Sequence, residues 1–276
     1  LLALTPVDGG WQDVPASTSE TLTSDQQCLD CHADLATAQQ VHYPVTDQLC
    51  ELCHEQPQPE LHEFSLVTPI GTACIECHDE HEGEHRHQPV VEGDCTTCHE
   101  PHQSEHASLL KSSTQSELCG ACHEQQLGLE VAFPHDPVAN GLCTRCHAVH
   151  ASDLPKLLQS STRELCVTCH ERPISPKKHV TLAGIGERLA ETPFQHEPIR
   201  EGSCSACHEP HGSDVMALLR LGYPWEFYAK YSRETYALCF QCHEPAAFEV
   251  TETDSLTDFR DGTRNLHHLH VNRDPK

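Results

Sequence analysis

The chain has 276 residues, of which 37% are apolar and 5% aromatic, a thin supply for a core of that size. Lys and Arg number 17 against 42 Asp and Glu, a formal charge of −25, which argues against nucleic acid or an anionic membrane as the partner. No apolar run reaches the roughly 18 residues that a spanning helix needs.

Residues 1–24 are rich in Thr, Ser, Asp and Pro without pattern, and read as an extended N-terminal arm. With no initiator Met and no basic-plus-apolar leader, the chain reads as already processed or partly observed. Residues 25–86 follow as an N-terminal region with three C-x-x-C-H motifs: Cys28, Cys31 and His32; Cys50, Cys53 and His54; Cys74, Cys77 and His78. Residues 87–175 hold two repeats of two motifs each. The first repeat has Cys95, Cys98 and His99, then Cys119, Cys122 and His123. The second has Cys143, Cys146 and His147, then Cys166, Cys169 and His170. Residues 176–250 are an insertion plus a third repeat, with Cys204, Cys207 and His208, then Cys239, Cys242 and His243. Residues 251–276 form a C-terminal tail holding His267, His268 and His270, and resemble the lead-in to a further motif without its cysteines. Those histidines either fray with the tail or ligate elsewhere.

The expected fold is mainly irregular with short α-helices and little or no β-sheet. Leu, Ala, Glu and Arg recur at 3–4 spacing around 105–124, 156–171, 182–191, 213–221 and 229–243, which predicts helices there. Pro57, Pro59, Pro134, Pro137, Pro173, Pro176, Pro193 and Pro198 are expected to break them.

The nine motifs use all 18 cysteines. C-x-x-C-H is the attachment sequence of c-type haem, with two thiols bonded to the cofactor and the histidine held beneath the iron. A disulfide framework has no reason to repeat one spacing nine times, and a zinc ribbon has none to follow every second Cys with His. Nine haem c groups in 276 residues must share one core. Thioether attachment takes place outside the cytoplasmic membrane, so the location expected is periplasmic or extracellular.

Each iron needs a second axial ligand. Fifteen of the 24 histidines lie outside the motifs, and the single methionine, Met216, sits in an apolar stretch and reads as packing. His42, His87, His135 and His196 each stand eight residues before a motif's first Cys. His81, His102, His150 and His211 each stand three after a motif His. Residues at i and i+3 share one side of a helical turn, so this second set must reach a neighbouring iron. The pairs expected are His87 with His99, His102 with His123, His135 with His147, His150 with His170, His196 with His208, His211 with His243 and His42 with His54. His62 and His81 remain for His32 and His78. His85, His106 and His179 are expected on the surface, with His179 a candidate ligand across a subunit boundary.

Residues 95–124 and 143–171 align closely, and a third copy begins at Cys204. On these motifs the chain resembles the doubled C-x-x-C-H class of multihaem cytochromes c, most closely over residues 87–243. The resemblance implies closely packed bis-histidine haems and electron transfer without chemistry of its own, as a wire or conduit in periplasmic or extracellular respiration. It also implies other redox proteins as partners, cytochromes among them, and admits a homopolymer joined through haem–haem contact. The alternative is a multihaem reductase of nitrite, hydroxylamine or a similar oxyanion, which needs one open iron face. No C-x-x-C-K variant occurs and histidines are in surplus.

Overall fold

The computed structural model describes residues 27–58, 62–127, 130–177, 180–226 and 229–272. The expected N-terminal arm and His179 lie outside them. Among the described residues there are eleven α-helices and six two-stranded antiparallel ladders. The longest helices, Gln115–His123 and Thr162–His170, have nine residues. The fold is therefore irregular, with short helices and minimal sheet, as the sequence implies. It divides into two compact units: residues 1–80 with 88–111, and residues 81–87 with 112–276.

Neither unit has a core of side chains. Among the described residues only Val45 and Leu219 are buried hydrophobics, while Trp225, Leu66 and Val91 are each at least half exposed. The chain exposes 21012 Å², where a compact protein of its 30.7 kDa mass exposes about 12,000 Å². Polypeptide alone does not fill the interior.

Two local devices recur. The first is a one-turn helix entered by histidine. His42, His135 and His196 are the N-cap residues of Tyr43–Thr46, Asp136–Ala139 and Glu197–Arg200. The following H-x-P proline sits in the first turn, where its fixed φ and missing N–H cost nothing. Gln88–Glu92, after His87, has the same form. Pro137 and Pro198 thus start helices, where the sequence reading had them end helices. Each turn leaves through a left-handed residue, Gln48, Gly93, Gly141 or Gly202, and enters a 3-10 turn carrying the motif cysteines.

The second device is a hairpin after the motif. Glu100 N–H donates to Leu109 O (2.7 Å) and Lys111 N–H to Cys98 O (3.0 Å). Ala148 to Leu157 with Gln159 to Cys146, and Glu209 to Leu218 with Arg220 to Cys207, repeat it. At each tip two consecutive residues are left-handed: Ser108 and Leu109, Lys156 and Leu157, Ala217 and Leu218. None is glycine, so each carries a conformational cost of about 1–2 kcal/mol that the surrounding bonds must hold. The Leu-Leu stretches are therefore kinked 3-10 turns at 107–109, 155–157 and 216–218, where helix was expected. The helix expected across 213–221 is absent, and that across 229–243 is a series of turns ending in Cys239–Gln241. Those across 156–171 and 182–191 form as Thr162–His170 and Ile185–Glu191. Met216, expected to pack, is half exposed.

Three two-residue ladders join distant segments. Gln40 and Val41 pair with Ser104 and Gln103. His85 and Arg86 pair with Ser152 and Ala151, and Phe133 and Pro134 with Ser213 and Gly212. Each is extended by the histidine that follows: His42 N–H donates to His102 O, His87 to His150 O and His135 to His211 O.

Candidate haem-binding sites

Most motifs are one helical turn. The His N–H donates to the first Cys carbonyl, as in His32 to Cys28, His78 to Cys74, His147 to Cys143 and His243 to Cys239. Positions i, i+3 and i+4 then share a face, which sets two thiols and one imidazole toward the same space. None of the eighteen cysteines is joined in a disulfide.

The histidines meet in opposed pairs. In the first unit His32 faces His62 with ring centroids 5.9 Å apart, His42 faces His78 at 6.0 Å, and His54 faces His102 at 5.8 Å. In the second, His87 faces His123 at 6.0 Å, His135 faces His170 at 6.3 Å, His147 faces His211 at 6.1 Å and His196 faces His243 at 6.0 Å. The ring planes differ by 7° to 36°. Rings in direct stacking contact lie much closer, as His81 and His150 do at 3.9 Å. Two imidazoles bound to one metal at about 2 Å per nitrogen place their centroids about 6 Å apart. Seven motif histidines thus stand opposite a second imidazole with room for one metal ion between.

The opposed nitrogens are prepared for this role. His147 shares its Nδ1 proton with Lys156 O at 2.9 Å, and His99 and His208 do so with Ser108 O and Ala217 O at 2.8 and 3.0 Å. The left-handed tips serve to turn those carbonyls inward. On the opposite side, His42 and His135 direct Nδ1 to Pro101 O and Pro210 O, both at 2.8 Å. An Nδ1–H held by a carbonyl fixes the tautomer and leaves the Nε2 lone pair for metal. Burial, with His54 alongside, holds His102 below the ordinary imidazole value, and burial does the same to His170 and His211. Neutral imidazole is the ligating form.

The pairing differs from that expected. His42 meets His78 instead of His54, His87 meets His123 instead of His99, and His135 and His196 likewise pass over the adjoining motif to His170 and His243. His102 and His211 do avoid the histidine three residues before them, as the helical-turn argument requires. They turn back to His54 and His147, not forward to His123 and His243. The cause is the long-range ladders, which lay 102–104 beside 40–42 and 211–213 beside 133–135. His150, expected opposite His170, and His81, expected opposite His32 or His78, stack on each other; those three motif rings face His135, His62 and His42. His85 and His106 are half-buried, not on the surface: His85 lies in a ladder opposite Ser152, and His106 N–H donates to Ser104 Oγ.

Cysteines of successive motifs are neighbours within each unit. Cys50 is beside Cys28, Cys53 beside Cys77, and Cys74 beside Cys95. In the second unit Cys146 is beside Cys169, Cys166 beside Cys204, and Cys239 beside Cys207. Burial, reinforced by these neighbours, pushes the Cys74 and Cys166 thiols up to about 11.

Two opposed imidazoles with two thiols at each site fit haem c. Haem bound there would supply the apolar body that the interior lacks. A tetrahedral zinc site takes all its ligands from side chains, a different arrangement.

The family model of the doubled CXXCH motif matches residues 87–128, 135–174 and 196–248. These doubled motifs are consistent with a multihaem c-type cytochrome, with covalently attached haem and a part in electron transfer. No curated protein matches it. No described helix is long and apolar enough to cross a membrane.

Proposed function

We propose that this protein carries electrons along nine covalently bound haems, one per C-x-x-C-H motif, predominantly with histidine on both faces of the iron. The observation that supports this most is the set of seven opposed imidazole pairs near 6 Å. The haem supplies the redox couple. The chain fixes its position through the cysteines and orients both axial rings through backbone carbonyls. Two histidines per iron leave no position for substrate and change little between ferric and ferrous states, which suits outer-sphere transfer without catalysis.

Neighbouring cysteines from successive motifs imply that the haems of each unit follow one another in sequence order. Electrons then pass between nearest neighbours, as in a conduit. The acidic surface suits basic faces on partner redox proteins, cytochromes among them, through steering. Export to the periplasm or cell exterior follows from the attachment chemistry, and an extracellular polymer is one form such a conduit takes.

The test is mass spectrometry of the denatured holoprotein, together with electron paramagnetic resonance and a potentiometric titration. Nine haems per chain, mostly low-spin, with overlapping low potentials are expected. Fewer attached haems, or reduction of nitrite or hydroxylamine with turnover, would overturn the reading.

A further inference from the structure

Two of the opposed pairs follow a register, while the other two C-H-x-x-H histidines, His81 and His150, stack on each other instead. His54, of the second motif, is met by His102, which stands three residues after the histidine of the fourth. His147, of the sixth motif, is met by His211, which stands likewise in the eighth. In both, a motif histidine meets the C-H-x-x-H histidine from two motifs further on.

His208, of the eighth motif, has the same preparation as His147. Its N–H donates to Cys204 O at 3.0 Å, and its Nδ1 is held by Ala217 O at 3.0 Å on a left-handed tip. Nε2 is thereby presented to metal. By the register, its opposite imidazole belongs to a tenth C-x-x-C-H-x-x-H, which residues 1–276 do not contain. Among the described residues no histidine ring is set opposite it. Of the tail histidines, His267 lies between Phe248 and Phe259 and His270 lies against Phe259, and none of the three has its ring set opposite His208.

We infer that the haem held by Cys204, Cys207 and His208 takes its sixth ligand, a histidine imidazole, from polypeptide outside this 276-residue chain. This rests on the haem reading above. The step is donation of an Nε2 lone pair to iron, with no change of oxidation state. The donor is either a second copy of the chain or a different polypeptide segment.

The test uses the ferric and ferrous 276-residue holoprotein, with added imidazole as the probe. The haem count and the low-spin signal of the remaining haems check the underlying reading separately. At a dilution where light scattering shows monomer, one high-spin haem is expected, taking up one imidazole per chain. If it turns low-spin as the protein self-associates, the donor is a second copy. If it stays high-spin at all concentrations, a second copy is not the donor, and turnover of nitrite or hydroxylamine at that haem would overturn the inference. In the ferrous protein the iron–histidine stretching band of a five-coordinate haem should disappear in His208→Gly while the other haems keep their spectra. A monomer with every haem low-spin and no imidazole uptake would overturn the inference, as would a stretching band that survives His208→Gly.

Discussion

Residues 50–67 and 95–111 lie in the same unit and build the same hairpin from different sequences. In the later segment Lys111 N–H donates to Cys98 O, and His99 bridges to Leu110. In the earlier one Val67 N–H donates to Cys53 O, and His54 pairs with Leu66. The later hairpin has the C-H-x-x-H histidine, the left-handed tip at Ser108 and Leu109, and the Ser104 hydroxyl bonded to Leu110 O at 2.6 Å. The earlier one has Pro57 where the C-H-x-x-H histidine would stand and no left-handed residue among its described positions. What is common is the demand to bring the strand after the motif back over its second cysteine. These two motifs share the hairpin, and the repeat signature is one way to make it.

The largest test of that view is removal of the cofactor. Both hairpins are expected to be lost when the chain is expressed without haem attachment, because neither has a core of its own. Near-UV circular dichroism should be featureless and the melt non-cooperative. A cooperative melt of the haem-free chain would sink the argument.

Next in size is the ligand that the later hairpin contributes. His102→Ala should strip the distal imidazole from the His54 haem in the earlier hairpin and leave the His99 haem unchanged. One additional high-spin haem should appear, and it should revert on adding imidazole. Combining the change with His54→Ala distinguishes the two: no second axial-loss signal from the His99 haem is expected.

Smaller effects separate the two hairpins directly. Ser104 is buried, and its hydroxyl also accepts from His106 N–H. Ser104→Ala should cost about 1–2 kcal/mol, seen as a lower Tm. In the repeats, Lys156→Gly relieves a left-handed residue and should stabilise by up to about 1 kcal/mol, whereas Lys156→Val should destabilise by a similar amount. A glycine at Leu66, in extended backbone, should only destabilise.

The smallest effect lies outside both hairpins. Arg233 bonds both carboxylate oxygens of Glu249, at 2.9 and 3.2 Å, and with Tyr231 holds that carboxyl below its ordinary value. A depressed folded-state value contributes stability above the unfolded value and loses it as pH falls through the folded one. Glu249→Gln should therefore lower Tm slightly at neutral pH, and the gap to the parent should close in acid. A gap that persists at low pH would assign the effect to packing.

The motif cysteines and histidines and the doubled repeat are local, and the sequence by itself determines them; the one-turn helices at H-x-P are local too, although Pro137 and Pro198 read as helix breakers. A C-x-x-C-H turn needs only i, i+3 and i+4 on one face, and an H-x-P turn needs only its proline and a left-handed exit. The partner of each motif histidine was not legible, because it depends on ladders of two residues joining positions 60 or more apart, as Gln40 and Ser104 are. Such ladders have no periodicity to read. The Leu-Leu stretches misled for a related reason. Their composition favours helix, but the carbonyls of Ser108, Lys156 and Ala217 are needed at a histidine Nδ1, and only a left-handed backbone turns them there. Sequence thus set where along the chain the attachment motifs lie. Tertiary structure decided which imidazole stands opposite each of seven motif histidines, because those pairs join segments that local propensity leaves apart.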